Sequence, residues 1–157
     1  MAQPGGTADA VVRGYAGFRQ LYRDRYLRYA RLRVGDAAEA AVSTAFGRLA
    51  SQWFTVMGSG MRPAAYSWQL LGGCVAAVGT DTAGTADAMG GLYGVLPLEQ
   101  ADAVLLHYRL GMTLTEAADL MGVDPSVLAA HLLMAERRLP RRLSGILRLP
   151  DTKSSQS

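Results

Sequence analysis

The sequence predicts an all-α protein. Apolar residues recur at three- and four-residue intervals along most of the chain, which is the period of an amphipathic helix. Apolar and polar residues nowhere alternate as they do in a half-buried strand. Glycine and proline residues separate the helical stretches, and 50% of the 157 residues are hydrophobic, so the chain can bury a core.

Residues 13–78 are predicted to form a first helical domain, after a flexible N-terminal segment, residues 1–12. The first helix covers about residues 14–34, and Gly35 ends it, as a glycine after the last turn often does. Its apolar stripe consists of Phe18, Leu21, Tyr22, Tyr26, Tyr29 and Leu32.

Two further helices complete this predicted domain. The second begins at Asp36, which forms a capping-box pattern with Glu39, and it continues to Gly58. The third begins at Pro63, because a proline costs no hydrogen bond in the first turn of a helix. Cys74 falls on the apolar side of the third helix and is interpreted as a core thiol.

Residues 79–91 are predicted to be a flexible linker, since they contain four glycines and no large side chain except a methionine. A second helical domain follows at residues 92–148, and residues 149–157 are predicted to be a flexible terminus. Within the second domain, a helix begins at Pro97 and stops at Gly111.

The second domain then has a helix-turn-helix signature. Thr113 and Glu116 form a second capping-box pattern, which opens a short helix. Gly122 supplies a tight turn, and Asp124 with Pro125 supplies an N-cap and a first-turn proline for the next helix.

Composition also limits the chemistry. The high hydrophobic and low charged fractions (18% charged) exclude disorder for the bulk of the chain. One cysteine excludes an internal disulfide and a multi-cysteine zinc site, and the two histidines are too isolated to bind a metal. There is no secretory signal pattern and no apolar run of about 20 residues. We therefore expect a cytoplasmic protein that has no membrane partner.

Fifteen of the sixteen basic residues are arginines, and seven of them lie between Arg13 and Arg33. This stretch is either an ordinary solvated helix face or a surface for an anionic partner, and charge alone does not distinguish nucleic acid from an acidic protein.

Two stretches of the chain resemble the sigma-70 family, in particular its extracytoplasmic-function group. The second domain resembles region 4 of that family through LPLEQADAVLLHYRLGMTLTEAADLMGVDPSVLAAHLLMAERRL. The first resembles region 2 through FRQLYRDRYLRYARLRVGDAAEAAVSTAFGRLASQW and RPAAYSWQLLGG. The resemblance implies a transcription initiation factor that binds core RNA polymerase and promoter DNA. Since these are binding tasks, it implies no enzymatic activity and no cofactor.

The resemblance also assigns site residues. The DNA-binding positions of the region 4-like helix are Ser126, Val127, Ala130, His131, Met134, Arg137 and Arg138. The polymerase-binding positions of the region 2-like domain are Glu39, Val42 and Phe46. The positions expected to contact the −10 element are Tyr66, Trp68 and Gln69, whereas Trp53 is interpreted as core.

The region 4-like helix departs from the family at the positions that would face DNA. Val127, Ala129, His131 and Met134 stand where the family has threonine, lysine and arginine. Because phosphate neutralisation supplies much of the affinity for DNA, such a helix would bind DNA poorly. This favours an alternative hypothesis: a degenerate sigma-like protein that has lost specific DNA reading and binds a partner transcription protein or an anti-sigma factor. An apolar helix surface could equally be covered by the other domain of the chain.

Overall fold

The computed structural model describes residues 4–79, 87–141 and 145. Every regular element in these ranges is helical, so the all-α prediction is confirmed. The chain divides into two compact units, Met1–Ala83 and Gly84–Ser157.

The first unit contains three long helices: α1 (Pro4–Val34), α2 (Ala38–Ser59) and α3 (Pro63–Gly79). A short 3₁₀ turn, Gly35–Ala37, connects α1 to α2, and Gly35 adopts a positive φ of 59°. Such a backbone conformation is readily available to glycine, which explains why α1 ends there.

Helix α1 begins ten residues before the predicted start at residue 14, and residues 4–12 of the predicted flexible terminus are helical. Trp53 of α2 explains the extension. Its indole Nε1 donates a hydrogen bond to the Val11 carbonyl oxygen at 2.8 Å, and its ring packs edge-on against Tyr15 with centroids 5.6 Å apart. As predicted, Trp53 is a core residue.

The predicted capping box at the start of α2 is wrong. Asp36 lies inside the 3₁₀ turn, and the N-cap of α2 is Ala37, which makes no side-chain cap hydrogen bond. The apolar residues that recur at three- and four-residue intervals along α2 are buried, as that spacing predicts: Val42, Ala45, Phe46, Leu49, Trp53 and Val56. Cys74 of α3 is also buried, which confirms its interpretation as a core thiol.

Aromatic rings dominate the core of this unit. Tyr26 stacks on Phe46 with centroids 5.3 Å apart, and Trp68 packs against Tyr29 at 4.5 Å. The Tyr26 hydroxyl donates to the Ser67 Oγ at 2.8 Å, so this buried pair joins α1 to α3.

The second unit contains α4 (Asp87–Val95), α5 (Leu98–Val104), α6 (Leu114–Met121) and α7 (Pro125–Arg138). One turn of π-helix, Leu105–Arg109, continues α5. The predicted helix stop at Gly111 agrees with its positive φ of 71°.

Only part of the predicted linker, 79–91, is described. Gly79 is the last residue of α3, residues 80–86 lie outside the described residues, and residues 87–91 lie in α4. Leu92 in α4 and Leu96 just after it are buried. The terminus predicted at 149–157 lies outside the described residues.

Candidate protein and nucleic-acid interfaces

Local sequence signals fix the start of α6 and the turn that follows it. The Thr113 Oγ1 accepts the Glu116 amide at 3.1 Å, and the Glu116 Oε1 accepts the Thr113 amide at 2.9 Å. This confirms the predicted capping box. Gly122 then adopts a φ of 74°, and the axes of α6 and α7 make an angle of 103°.

Helix α7 begins at Pro125, with Asp124 in the N-cap position but without a side-chain cap hydrogen bond. Three apolar side chains fix α7 to its unit, because Leu128, Leu132 and Ala135 are all buried. These are the residues that the three- and four-residue spacing predicts for the inner side.

The opposite side of α7 presents apolar groups to solvent. Val127, Leu133 and Met134 are 41%, 51% and 43% exposed, and Ala130 is exposed beside them. We call these four residues the outer face of α7. Apolar side chains grouped on one face are typical of a surface that binds another molecule.

The polar residues predicted to contact DNA lie around this face. Ser126 is exposed near the start of α7, His131 is half-buried, and Arg137 and Arg138 are exposed at its C-terminal end. Only the last turn therefore offers positive charge. Arg141, three residues further on, is exposed as well.

Glu136, which directly precedes Arg137, has a polar contact inside its own unit. Its Oε1 accepts a hydrogen bond from the Tyr108 hydroxyl at 3.1 Å. Partial burial, together with the hydrogen bond and negative charge of Glu136, raises the pKa of Tyr108 above its usual value of 10.0.

The basic residues of α1 make contacts along its length. Arg19 lies over the Phe46 ring at 5.7 Å, and Arg33 lies over the Tyr29 ring at 5.8 Å and donates to its hydroxyl at 2.9 Å. Arg23 is 3.8 Å from Asp24 in an exposed ion pair. At least these arginines serve their own helix and its neighbours.

The structure places the predicted polymerase-binding residues on different sides of α2. Glu39 is exposed, whereas Val42 and Phe46 are 1% and 2% exposed and belong to the core. Assigning Val42 and Phe46 to a binding surface is therefore corrected, because both side chains fill the space between α2 and its neighbours.

The predicted −10 contacts divide in the same way. Gln69 is exposed and Tyr66 is half-buried, but Trp68 is buried against Tyr29 and Tyr26. The assignment of Trp68 as a base-contacting residue is corrected, since its ring has no open face on which a base could stack.

The end of α2 also exposes three apolar side chains that the sequence predictions did not include. Phe54, Met57 and Met61, near the end of α2, are 60%, 50% and 44% exposed. Helical spacing predicts the exposure of Phe54 and Met57, because both lie outside the buried stripe formed by Leu49, Trp53 and Val56.

The described residues contain no group of three or more side chains that could hold a metal ion. The His107 Nδ1 is 2.7 Å from the Met112 carbonyl oxygen, so this ring serves the turn after α5. No single helix in the described ranges is long and apolar enough to cross a membrane; the bent pair of α6 and α7 meets the test by length and composition only.

Comparison with known proteins gives no relative. No protein-family model, no curated protein and no solved structure matches the chain.

Proposed function

We propose that this chain is a sigma-like transcription regulator that binds a protein through the outer face of α7. One observation carries the proposal: the helix that follows the tight turn is exposed on the side where a DNA-reading helix needs polar groups, and that side is apolar. The partner is another transcription protein or an anti-sigma factor, and a cytoplasmic location belongs to the same proposal.

The geometry of α6 and α7 supports the part of the proposal that the chain is sigma-like. Two helices at 103°, joined by a three-residue turn that contains a glycine, have the proportions of a helix-turn-helix unit, in which helices meet at roughly 90–120°. The resemblance to region 4 covers this same segment, with the capping box at its start.

The energetics of the outer face favour a protein over DNA. Duplex DNA binding depends on cations that displace counterions from phosphates, and α7 has none before Arg137. Val127, Leu133 and Met134 instead offer area whose burial is favourable at about 25 cal/mol per Å². Methionine also suits adaptable protein-binding surfaces.

The test is an affinity purification of the tagged full chain from the cells that produce it, compared with Met134→Glu and Met57→Glu. Both methionines are about half exposed, but only Met134 belongs to the outer face. We expect Met57→Glu to retain the wild-type partner and Met134→Glu to lose it. Equal recovery with all three chains would overturn the proposal.

A second candidate is the activity that the resemblance implies: binding of core RNA polymerase and of promoter DNA in transcription initiation. The exposed arginines at the end of α7, Arg137, Arg138 and Arg141, favour it. It requires duplex binding that weakens steeply with salt and that Arg137→Ala with Arg138→Ala reduces at every sequence tested. Stoichiometric polymerase subunits in the purification would support it too.

A further inference from the structure

The exposed side of α7 is complementary in charge to a second copy of the same helix that runs in the opposite direction. Asp124 is exposed at its N-terminal end, Arg137 and Arg138 are exposed at its C-terminal end, and the apolar outer face lies between them. Residues 124–138 span about 20 Å of helix. A surface with opposite charges at its two ends and an apolar centre fits a second copy of itself in the antiparallel direction.

The spacing along α7 agrees with such a pairing. Asp124, Val127, His131, Met134 and Arg138 follow one another at alternating intervals of three and four residues. That interval keeps one line of side chains facing a partner helix throughout a coiled-coil contact. Ala130, beside this line, has a small side chain that permits close approach of the two backbones.

We propose that, where that partner transcription protein or anti-sigma factor is not bound, the outer face pairs with a second copy of this chain through α7 about a two-fold axis. The inference rests on the proposed function, since it uses the same protein-binding face. Antiparallel packing brings Asp124 of each copy towards Arg137 and Arg138 of the other. It also opposes the two helix dipoles, so that each helix end faces the complementary partial charge.

The contact between two α7 helices is small, so we expect the two copies to associate weakly. One pair of four-turn helices buries less than the roughly 1,200 Å² at which stable complexes begin. The dimer therefore has an expected Kd on the order of 10–100 µM and is populated only in concentrated solution or where the chain is held locally.

The first experiment is sedimentation equilibrium of the full chain from about 5 µM to about 500 µM. We expect a monomer–dimer equilibrium. Met134→Glu places one carboxylate from each copy in the apolar centre and should weaken association at least about 100-fold. Met57→Glu is the matched control and should leave the Kd within about twofold. A monomer throughout, or a dimer that Met134→Glu leaves intact, would overturn the inference.

Charge-reversed chains test the antiparallel arrangement itself. Arg137→Glu with Arg138→Glu makes both ends of α7 acidic, and Asp124→Lys in a separate chain makes both ends basic. We expect each variant alone to dimerise at least about tenfold more weakly than the wild type, and their mixture to regain association. Far-ultraviolet circular dichroism checks that α7 still forms, since a lysine near a helix N-terminus is unfavourable. Variants that alone dimerise as well as the wild type, as a parallel pair would, or that associate no better together than alone would overturn the antiparallel pairing.

These results separate the inference from the proposed function. If the chain is a monomer but the purification still recovers a partner that depends on Met134, the second copy is wrong and the protein-binding face stands. If neither dimerisation nor the recovery of a partner depends on Met134, both the inference and the proposed function are wrong.

Discussion

Tyr26 shows how one polar atom is accommodated in the core of the first unit. Its ring stacks on Phe46, and its hydroxyl donates to the Ser67 Oγ at 2.8 Å between α1 and α3. Both residues are at most 2% exposed, so neither hydroxyl can exchange its partner for water without opening the unit.

Removing the Tyr26 hydroxyl should therefore destabilise the first unit. We expect Tyr26→Phe to lower the free energy of unfolding by about 1–2 kcal/mol, because the Ser67 hydroxyl loses a buried partner. Tyr66→Phe, at a half-buried position, is the matched control and should change the free energy of unfolding by less than about 0.5 kcal/mol. Urea denaturation measures both. If the double variant Tyr26→Phe with Ser67→Ala loses the full sum of the single effects, the two hydroxyls do not act as a pair.

Three side chains of α7 should determine the affinity of this helix for DNA. Ala129→Lys, His131→Arg and Met134→Arg together place positive charge where the sigma-70 family has it. We expect the triple variant to gain duplex binding that falls as salt rises, with a slope of up to about −0.9 per phosphate neutralised. Fluorescence anisotropy of a labelled duplex measures this. No gain at low salt would mean that this side of α7 does not approach DNA.

The two capping-box patterns show that local sequence predicts the start of one helix but not of the other. Thr113 and Glu116 form the reciprocal pair that their spacing predicts, because α6 begins at that threonine. Asp36 and Glu39 have similar spacing, yet the chain continues from α1 through a 3₁₀ turn and α2 begins after Asp36. Periodicity therefore predicted both helices, whereas the capping-box pattern predicted the start of α6 and not that of α2.

The same reasoning explains which site residues could be predicted. The outer face of α7 follows from helical spacing alone, since Leu128 and Leu132 identify the inner side. The burial of Val42 and Phe46 follows from the spacing of α2 and conflicts with the roles that the resemblance assigns to them. The burial of Trp68 could not be predicted in this way, because it depends on the rings of Tyr26 and Tyr29 in another helix. The early start of α1 depends on Trp53, which is 42 residues from Val11.

The capping box of α6 predicts a measurable difference between two threonines. Thr113→Ala removes the side-chain acceptor for the Glu116 amide and should lower the stability of the second unit by about 1 kcal/mol. Thr115→Ala makes the same change at an exposed position inside α6 and should be neutral or slightly stabilising. Thermal unfolding followed by circular dichroism compares them. Equal effects would show that the reciprocal bonds add nothing to the stability of α6.

At the scale of the whole molecule, each compact unit has its own core. Leu49 is fully buried in the first unit, and Leu120 is fully buried in the second. Both tryptophans, Trp53 and Trp68, belong to the first unit, so tryptophan fluorescence reports on that unit alone. Units with separate cores should unfold separately.

Core truncations should consequently affect one unit at a time. We expect Leu49→Ala to cost about 2–5 kcal/mol and to shift the unfolding midpoint seen by tryptophan fluorescence. Leu120→Ala should leave that midpoint unchanged while it shifts the part of the circular dichroism transition that fluorescence does not report. A common shift of both signals by Leu120→Ala would mean that the two units unfold as one.

Photo-crosslinking from α7 tests the central claim most directly. A photoreactive amino acid replaces Met134 in the tagged full chain, and a second chain carries it in place of Met57 as the control. After irradiation of the producing cells, we predict a protein adduct from position 134 that position 57 does not give, including an adduct at twice the mass of the chain if the partner is a second copy. Adducts with DNA alone, or identical adducts from both positions, would contradict the assignment of the outer face of α7 to protein binding.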